Sequence, residues 1–187
     1  GKERRQNMLA LASGLFAVFT VIWSGFLLRY AMTASNFDAG IGGNVFGVQD
    51  GYLYAGVHYN ITGMAALSLC MMSLAACGCA KNPLLKAACI IPAAMSAAVV
   101  VLTQSRTSRY ALLFALAIGA FDLLSHALAS KGKGVALAVA LLSAAVILAG
   151  GYEVSQFATE AALEHYAVVR AERAAAEPQE EASDDTP

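Results

Sequence analysis

Charged residues are scarce. Asp, Glu, Lys and Arg make up 13% of the 187-residue chain, about half the share found in ordinary soluble domains. Hydrophobic residues make up 58% and the mean hydropathy is +0.60. A water-soluble fold of this size would lack the polar surface to cover itself, which argues against a soluble globular domain. Disorder needs low hydrophobicity and high charge, and is excluded for most of the chain on the same grounds. Proline is sparse as well: of the four present, only Pro92 falls inside a long apolar stretch. No helix is therefore visibly broken at mid-membrane, as transporter sites often require. The four cysteines (Cys70, Cys77, Cys79 and Cys89) all lie in or at the ends of apolar stretches. None is placed for an extracytoplasmic disulfide, and Cys77 and Cys79 have no partner pair at zinc spacing; they read as small packing residues. No glycine-rich phosphate loop, nucleophile elbow or zinc-binding helix occurs, and the basic residues form no nucleic-acid footprint. No metal, cofactor or nucleic-acid partner is expected.

What the chain has is long apolar sequence. A bilayer core of ~30 Å needs ~20 apolar residues of helix, and five stretches approach or meet that length, at about 8–28, 61–80, 87–104, 110–130 and 134–150. Ala, Leu and Met dominate them and favour helix, and no stretch alternates apolar and polar with period two. The expected fold class is an all-α integral membrane protein with about five transmembrane helices. Residues 1–150 form a polytopic transmembrane domain and 151–187 begin an extracytoplasmic loop. Orientation follows from Lys and Arg in the short flanks. With the N-terminus cytoplasmic, the inner segments hold Lys2, Arg4, Arg5, Lys81, Lys86, Lys131 and Lys133, and the outer ones Arg29, Arg106, Arg109, Arg170 and Arg173. All five lysines then fall inside. The expected location is a cell inner (cytoplasmic) membrane, multi-pass. The first stretch has the basic flank of a signal peptide, but its apolar run is too long and no small-x-small cleavage site follows. The chain starts at Gly1 and its fifth span ends as an outer segment begins, so it reads as a piece of a longer polypeptide.

The first outer loop, Ala31 to Tyr59, is rich in glycine and aromatics, among them Tyr52, Tyr54 and Tyr59. It reads as an interfacial loop with irregular backbone, with an alternative as the lining of a lipid or sugar site. Asn60–Ile61–Thr62 matches a glycosylation sequon but abuts the membrane and is taken as chance. In the tail, Val154, Phe157, Ala161, Ala162, Tyr166 and Val169 recur at helical spacing, which predicts an amphipathic helix lying along the membrane surface. The acidic stretch from Pro178 to Pro187 is expected to be disordered.

Chemistry concentrates in Thr103–Gln104–Ser105–Arg106–Thr107–Ser108–Arg109. Both arginines stand on the outer side, against the positive-inside tendency, and a charge in this setting needs an anion or water. In the first turn of a helix, three residues apart, they share a face. Two guanidinium forks there, with hydroxyls nearby, suit a phosphate or diphosphate; the plainer reading is a pair of anchors for lipid phosphates or for Asp38 or Asp50. Asp122 and His126, four apart on the fourth span, read as a hydrogen-bonded pair on a packed face, with a proton or ion pathway as the functional version.

Gly56–Val57–His58–Tyr59–Asn60, directly before the second span, resembles the His-Pro-Asn motif of the membrane O-antigen ligase and polysaccharide polymerase family. Thr103–Gln104–Ser105–Arg106, closing the third span, is similar to the family's Thr-x-Ser-Arg segment. The resemblance covers about Tyr52 to Leu124. Tyr59 stands where the family has Pro, Thr107 where Gly is common, and Tyr110 where Leu is expected. The family's catalytic His, followed by glycines in a large late outer loop, has no counterpart, since His165 is followed by none. The resemblance implies a metal-independent GT-C type glycosyltransferase that takes an undecaprenyl-diphosphate-linked glycan as donor and a lipid or another glycan as acceptor. It implies that Arg106, helped by Arg109, binds the diphosphate, and that His58, Asn60 and Ser105 shape the site. The general base is expected to lie outside this piece, which is then inactive alone. The alternatives are a transporter component working through Asp122 and His126, and a non-catalytic membrane scaffold acting through its outer tail.

Overall fold

The structure, a computed structural model, describes residues 2–38, 45–56, 58–80 and 82–176. The acidic stretch 178–187, Val57, Lys81 and the glycines at 40, 42 and 43 lie outside the described residues. Among the described residues five helices are long and apolar enough to cross a membrane: α1 (Lys2–Thr33), α2 (Tyr59–Cys79), α3 (Pro83–Leu102), α4 (Arg106–Ala127) and α5 (Lys133–Ala176). A single turn of 3₁₀ helix, Ala129–Lys131, joins α4 to α5. Many large apolar side chains of these helices face outward: Met8, Leu15, Ile22, Ile91, Ile118 and Leu142 are all more than half exposed. Such a surface suits hydrocarbon rather than water. Inside, the helices meet over small residues. Ser24 on α1 and Ser96 on α3 are fully buried with their hydroxyls 3.1 Å apart, the close approach that small polar residues permit between apolar helices.

The helix starts follow local chemistry. Asn82 caps α3 by accepting from the Leu84 N–H at 2.9 Å, and Pro83 takes the first helical position, where its missing N–H is no loss. His58 caps α2, its Nδ1 accepting from the Asn60 N–H at 3.1 Å. Ser105 caps α4, its hydroxyl accepting from the Ser108 N–H.

The loop between α1 and α2 differs from the irregular segment expected. It carries a three-stranded antiparallel sheet in the order β1 (Asn36–Asp38), β2 (Val45–Gln49) and β3 (Tyr52–Gly56). Gln49 pairs with Tyr52, so Asp50–Gly51 is a two-residue turn with both φ positive, 50° and 85°. That is the type I′ geometry that Asp-Gly favours. Thr62 ties the sheet to α2: its hydroxyl accepts from the Ala55 N–H at 2.7 Å and donates to the His58 carbonyl at 3.2 Å. Val48, Leu53, Ala31 and Ala34 join the buried core at this end of the bundle.

The fifth helix does not stop near Gly150. α5 is one helix of 44 residues, about 66 Å at 1.5 Å per residue, which is twice the thickness of a hydrocarbon core. Its second half packs over the sheet and the end of α1 instead of turning away as a separate surface helix. Tyr166 is 3% exposed within the same core cluster. His165 Nε2 lies 2.7 Å from the Met32 carbonyl, and Arg173 donates to the Thr33 carbonyl. Two side chains of α5 thereby serve carbonyls at the C-terminal end of α1, where a helix leaves them unpaired.

Candidate functional site

At the sheet end of the bundle a cleft of about 710 Å³ opens between the α3–α4 turn, α2 and α5. Tyr52, Tyr59, Asn60, Gln104, Arg106, Thr107, Arg109, Tyr110, Tyr152, Gln156 and Thr159 line it. Both arginines singled out in the sequence are here, together with Asn60. His58 is not among the lining residues; its ring stacks on Tyr59 at 4.3 Å between centroids. Tyr52 also stacks on Tyr59, at 4.6 Å, so the tyrosines of the loop pack on one another. Ser105 is fully buried beneath the cleft as the α4 cap.

The α3–α4 turn owes its position to a glycine that the sequence reading passed over. A methyl group added at Gly63 on α2 would stand 2.8 Å from Ser108 Oγ and 2.9 Å from both Ser105 Cβ and Thr103 Oγ1. Only glycine lets the turn seat directly on α2. Three of its hydroxyl residues, Thr103, Ser105 and Ser108, are consequently buried against α2, and Thr107 is the one that lines the cleft. Gln104 leaves α3 in the left-handed region, φ 54°, which costs a non-glycine residue about 1–2 kcal/mol. Its side chain donates to the Gly51 carbonyl at 2.7 Å, joining the two turns that wall the cleft.

Arg106 is exposed at the first position of α4, where the helix N-terminus adds its own positive end. Arg109, one turn on, is only 6% exposed. Nη1 donates to Gln156 Oε1 at 3.2 Å and Nη2 to Thr159 Oγ1 at 3.1 Å, while Nε is buried with no partner. Gln156 in turn donates to the Tyr152 hydroxyl at 2.7 Å. No carboxylate meets Arg109 among the described residues, whose one ion pair is Asp122–His126. Asp50, one of the two acids considered as a partner, makes no ion pair with either arginine; the side chain of Asp38 lies outside the described residues. A guanidinium held in this way, with neutral acceptors and a spare N–H, retains an uncompensated charge beside a polar cleft.

The cleft adjoins a second cavity of about 570 Å³ between α4 and α5. Tyr110 and Tyr152 belong to both and stack at 6.1 Å with planes 5° apart. Beyond them the lining is mostly apolar, with Leu113, Phe114, Leu148, Ala149 and Gly150 beside Glu153. A polar, basic chamber thus continues into a hydrocarbon-like groove across one pair of tyrosines. Near the sheet, burial and the neighbouring Asp50 carboxylate push the Tyr54 phenol up, so it is a neutral donor at ordinary pH.

The other candidates fall outside this site. Asp122 and His126 do approach, at 3.5 Å, but their side chains are 73% and 82% exposed, so the pair is not on a packed face as expected. Cys70 and Cys89 are buried free thiols. No group of three or more metal-ligating side chains occurs among the described residues. Sequence reasoning missed Tyr152, Gln156 and Thr159, which reach the cleft only because α5 continues past Gly151. Comparison with protein-family models, with curated proteins and with solved structures gives no match to this chain.

Proposed function

We propose that the protein is a multi-pass inner-membrane enzyme of the O-antigen ligase and polysaccharide polymerase type, and that the cleft holds the diphosphate of an undecaprenyl-diphosphate-linked glycan. The observation that carries this reading is Arg109: buried, without an anion among the described residues, and lining one cleft with Arg106. Two guanidinium groups at a helix N-terminus suit a diphosphate better than a single charge would. The groove beyond Tyr110 and Tyr152 supplies an apolar wall for the attached polyprenyl chain, which favours an amphiphilic donor over a free nucleotide. In glycan transfer the glycosidic bond to the diphosphate breaks, and charge develops on the departing oxygen. Arg106, exposed at the mouth, would meet that charge directly, and fixed cations at such a position lower the barrier without reorganisation. Asn60 and Gln104 would orient the head group by hydrogen bonding. The acceptor is a lipid or a second glycan.

The test is transfer by the full-length protein in cells that carry only the variant. Arg106→Ala is expected to reduce surface glycan transfer by about a hundredfold, the usual scale for losing one charge-stabilising donor, with the protein still present in the membrane. Arg109→Ala is expected to weaken donor binding as well. Normal ligation or polymerisation by Arg106→Ala overturns the assignment.

A further inference from the structure

Arg109 gives two of its donors to side chains of α5 that line the same cleft. Nη1 and Nη2, the groups that would grip an anion in a bidentate fork, are taken by Gln156 and Thr159 at 3.2 and 3.1 Å. Both acceptors are neutral, and hydrogen bonds from a cation to neutral oxygen are weaker than those to a phosphate oxygen. An anion reaching the unpaired Nε would compete for the same guanidinium.

The half of α5 that holds these acceptors is seated by Tyr166, Ala162 and Val169 on the core and has few other polar ties to the bundle. His165 and Arg173 end on carbonyls at the exposed end of α1, where water can replace them. Between this half and the membrane half stand two consecutive glycines, Gly150 and Gly151. Each costs a helix about 1 kcal/mol relative to alanine, and glycine pairs are sites where helices bend. Packing accounts for Gly151, where an added methyl group would stand 2.6 Å from Leu113 Cδ2. It does not account for Gly150, where nothing lies within 4 Å.

We propose that the sheet-end half of α5 is an inhibitory latch on the cleft: Gln156 and Thr159 occupy Arg109 in place of an anionic head group and release it when that group binds. This rests on the reading of the cleft as a diphosphate site and adds its regulation. The coupling is reciprocal, as linkage requires. Whatever loosens the latch raises anion affinity, and anion binding releases Gln156 and Thr159 from Arg109 while Tyr166 keeps this half of α5 seated in the core.

The sign of one effect separates this from the alternative that Gln156 and Thr159 merely position Arg109. Inorganic pyrophosphate, which has no chain to enter the groove, is titrated by calorimetry into the protein in lipid nanodiscs at fixed ionic strength. Thr159→Val keeps the side-chain shape and removes the acceptor; Gln156→Ala removes the other independently. The latch predicts tighter binding in each single variant and roughly tenfold tighter binding in the pair, with Arg109→Ala losing binding. Weaker or unchanged binding in both single variants, with binding still lost in Arg109→Ala, overturns the latch and leaves the diphosphate site standing. Wild-type binding by Arg109→Ala overturns the site and the latch together.

Discussion

Among the described residues two buried polar groups at the sheet end have no partner, and they invite different experiments. Arg109 lines the cleft while its Nε is buried without a partner, so under the proposed function that N–H is the one left over for a ligand. The Tyr166 hydroxyl lies in the core, 3% exposed and without a hydrogen bond among the described residues, so it is a cost of about 1–3 kcal/mol with nothing to offset it. Tyr166→Phe keeps the ring and removes that cost. Its melting temperature in detergent is expected to rise by the equivalent of about 1 kcal/mol; a fall would mean that the hydroxyl is satisfied. Alkaline pH adds a second readout. Burial pushes the Tyr166 phenol up from 10.0 to about 12, so the folded state holds its proton longer than the unfolded one. The stability linked to it is intact below pH 10.0 and is lost as pH rises toward about 12. Wild type should therefore lose stability faster than Tyr166→Phe in that window. Of these residues, the arginines were legible in the sequence because a permanent charge beside an apolar span has few explanations. Gly63 was not, since a glycine in an apolar helix reads the same whether or not a turn rests on it.

The elements were legible in proportion to how locally they are determined. Each span declared itself through its own run of apolar residues; the α3 and α4 caps, Asn82 with Pro83 and Ser105, are equally local signals that the sequence reading passed over. The sheet also left a local signal, Asp50–Gly51 between Val45–Gln49 and Tyr52–Gly56, but the abundance of glycine around it pointed to irregular backbone. The continuity of α5 was legible in neither way. Gly150–Gly151 follows an apolar stretch and looks like a helix end, and what carries the helix past it is tertiary: Tyr152 against Tyr110, Gln156 and Thr159 on Arg109, Leu163 over Gly51 and Tyr166 in the core. The glycine at 150 still weakens the helix locally. Gly150→Ala places its methyl group in open space and is expected to stabilise the fold by about 1 kcal/mol, measured by thermal unfolding. If binding requires α5 to give at Gly150–Gly151, the same variant takes up pyrophosphate more slowly in a stopped-flow experiment. A faster or unchanged rate would assign Gly150 no part in that motion.

Across the whole molecule the two ends differ in their cations. Lys86, Lys131 and Lys133 lie at the end away from the sheet, whereas Arg29, Arg106, Arg109, Arg170 and Arg173 lie toward the sheet and the second half of α5. The positive-inside tendency counts both residue types, and by number alone it discriminates weakly here. What separates the ends is how the cations are engaged. Arg109 and Arg173 are bonded within the fold, and Arg106 lines the cleft with Arg109, so three of the five arginines have local reasons for their position. Under the proposed function the lysine end is the one that orients the chain, and the sheet, the cleft and the second half of α5 are proposed to face outward. A donor carried on the outer leaflet would then meet the cleft directly. Single cysteines placed in a background without the four native ones read this out. Glu160→Cys, exposed on α5, is expected to react with a membrane-impermeant maleimide on intact cells, and Asn82→Cys, exposed between α2 and α3, only after permeabilisation. The opposite pattern would put the cleft on the cytoplasmic face, where a glycan displayed on the outer leaflet cannot reach it, and the glycan-transfer reading would fail even with both arginines correctly placed.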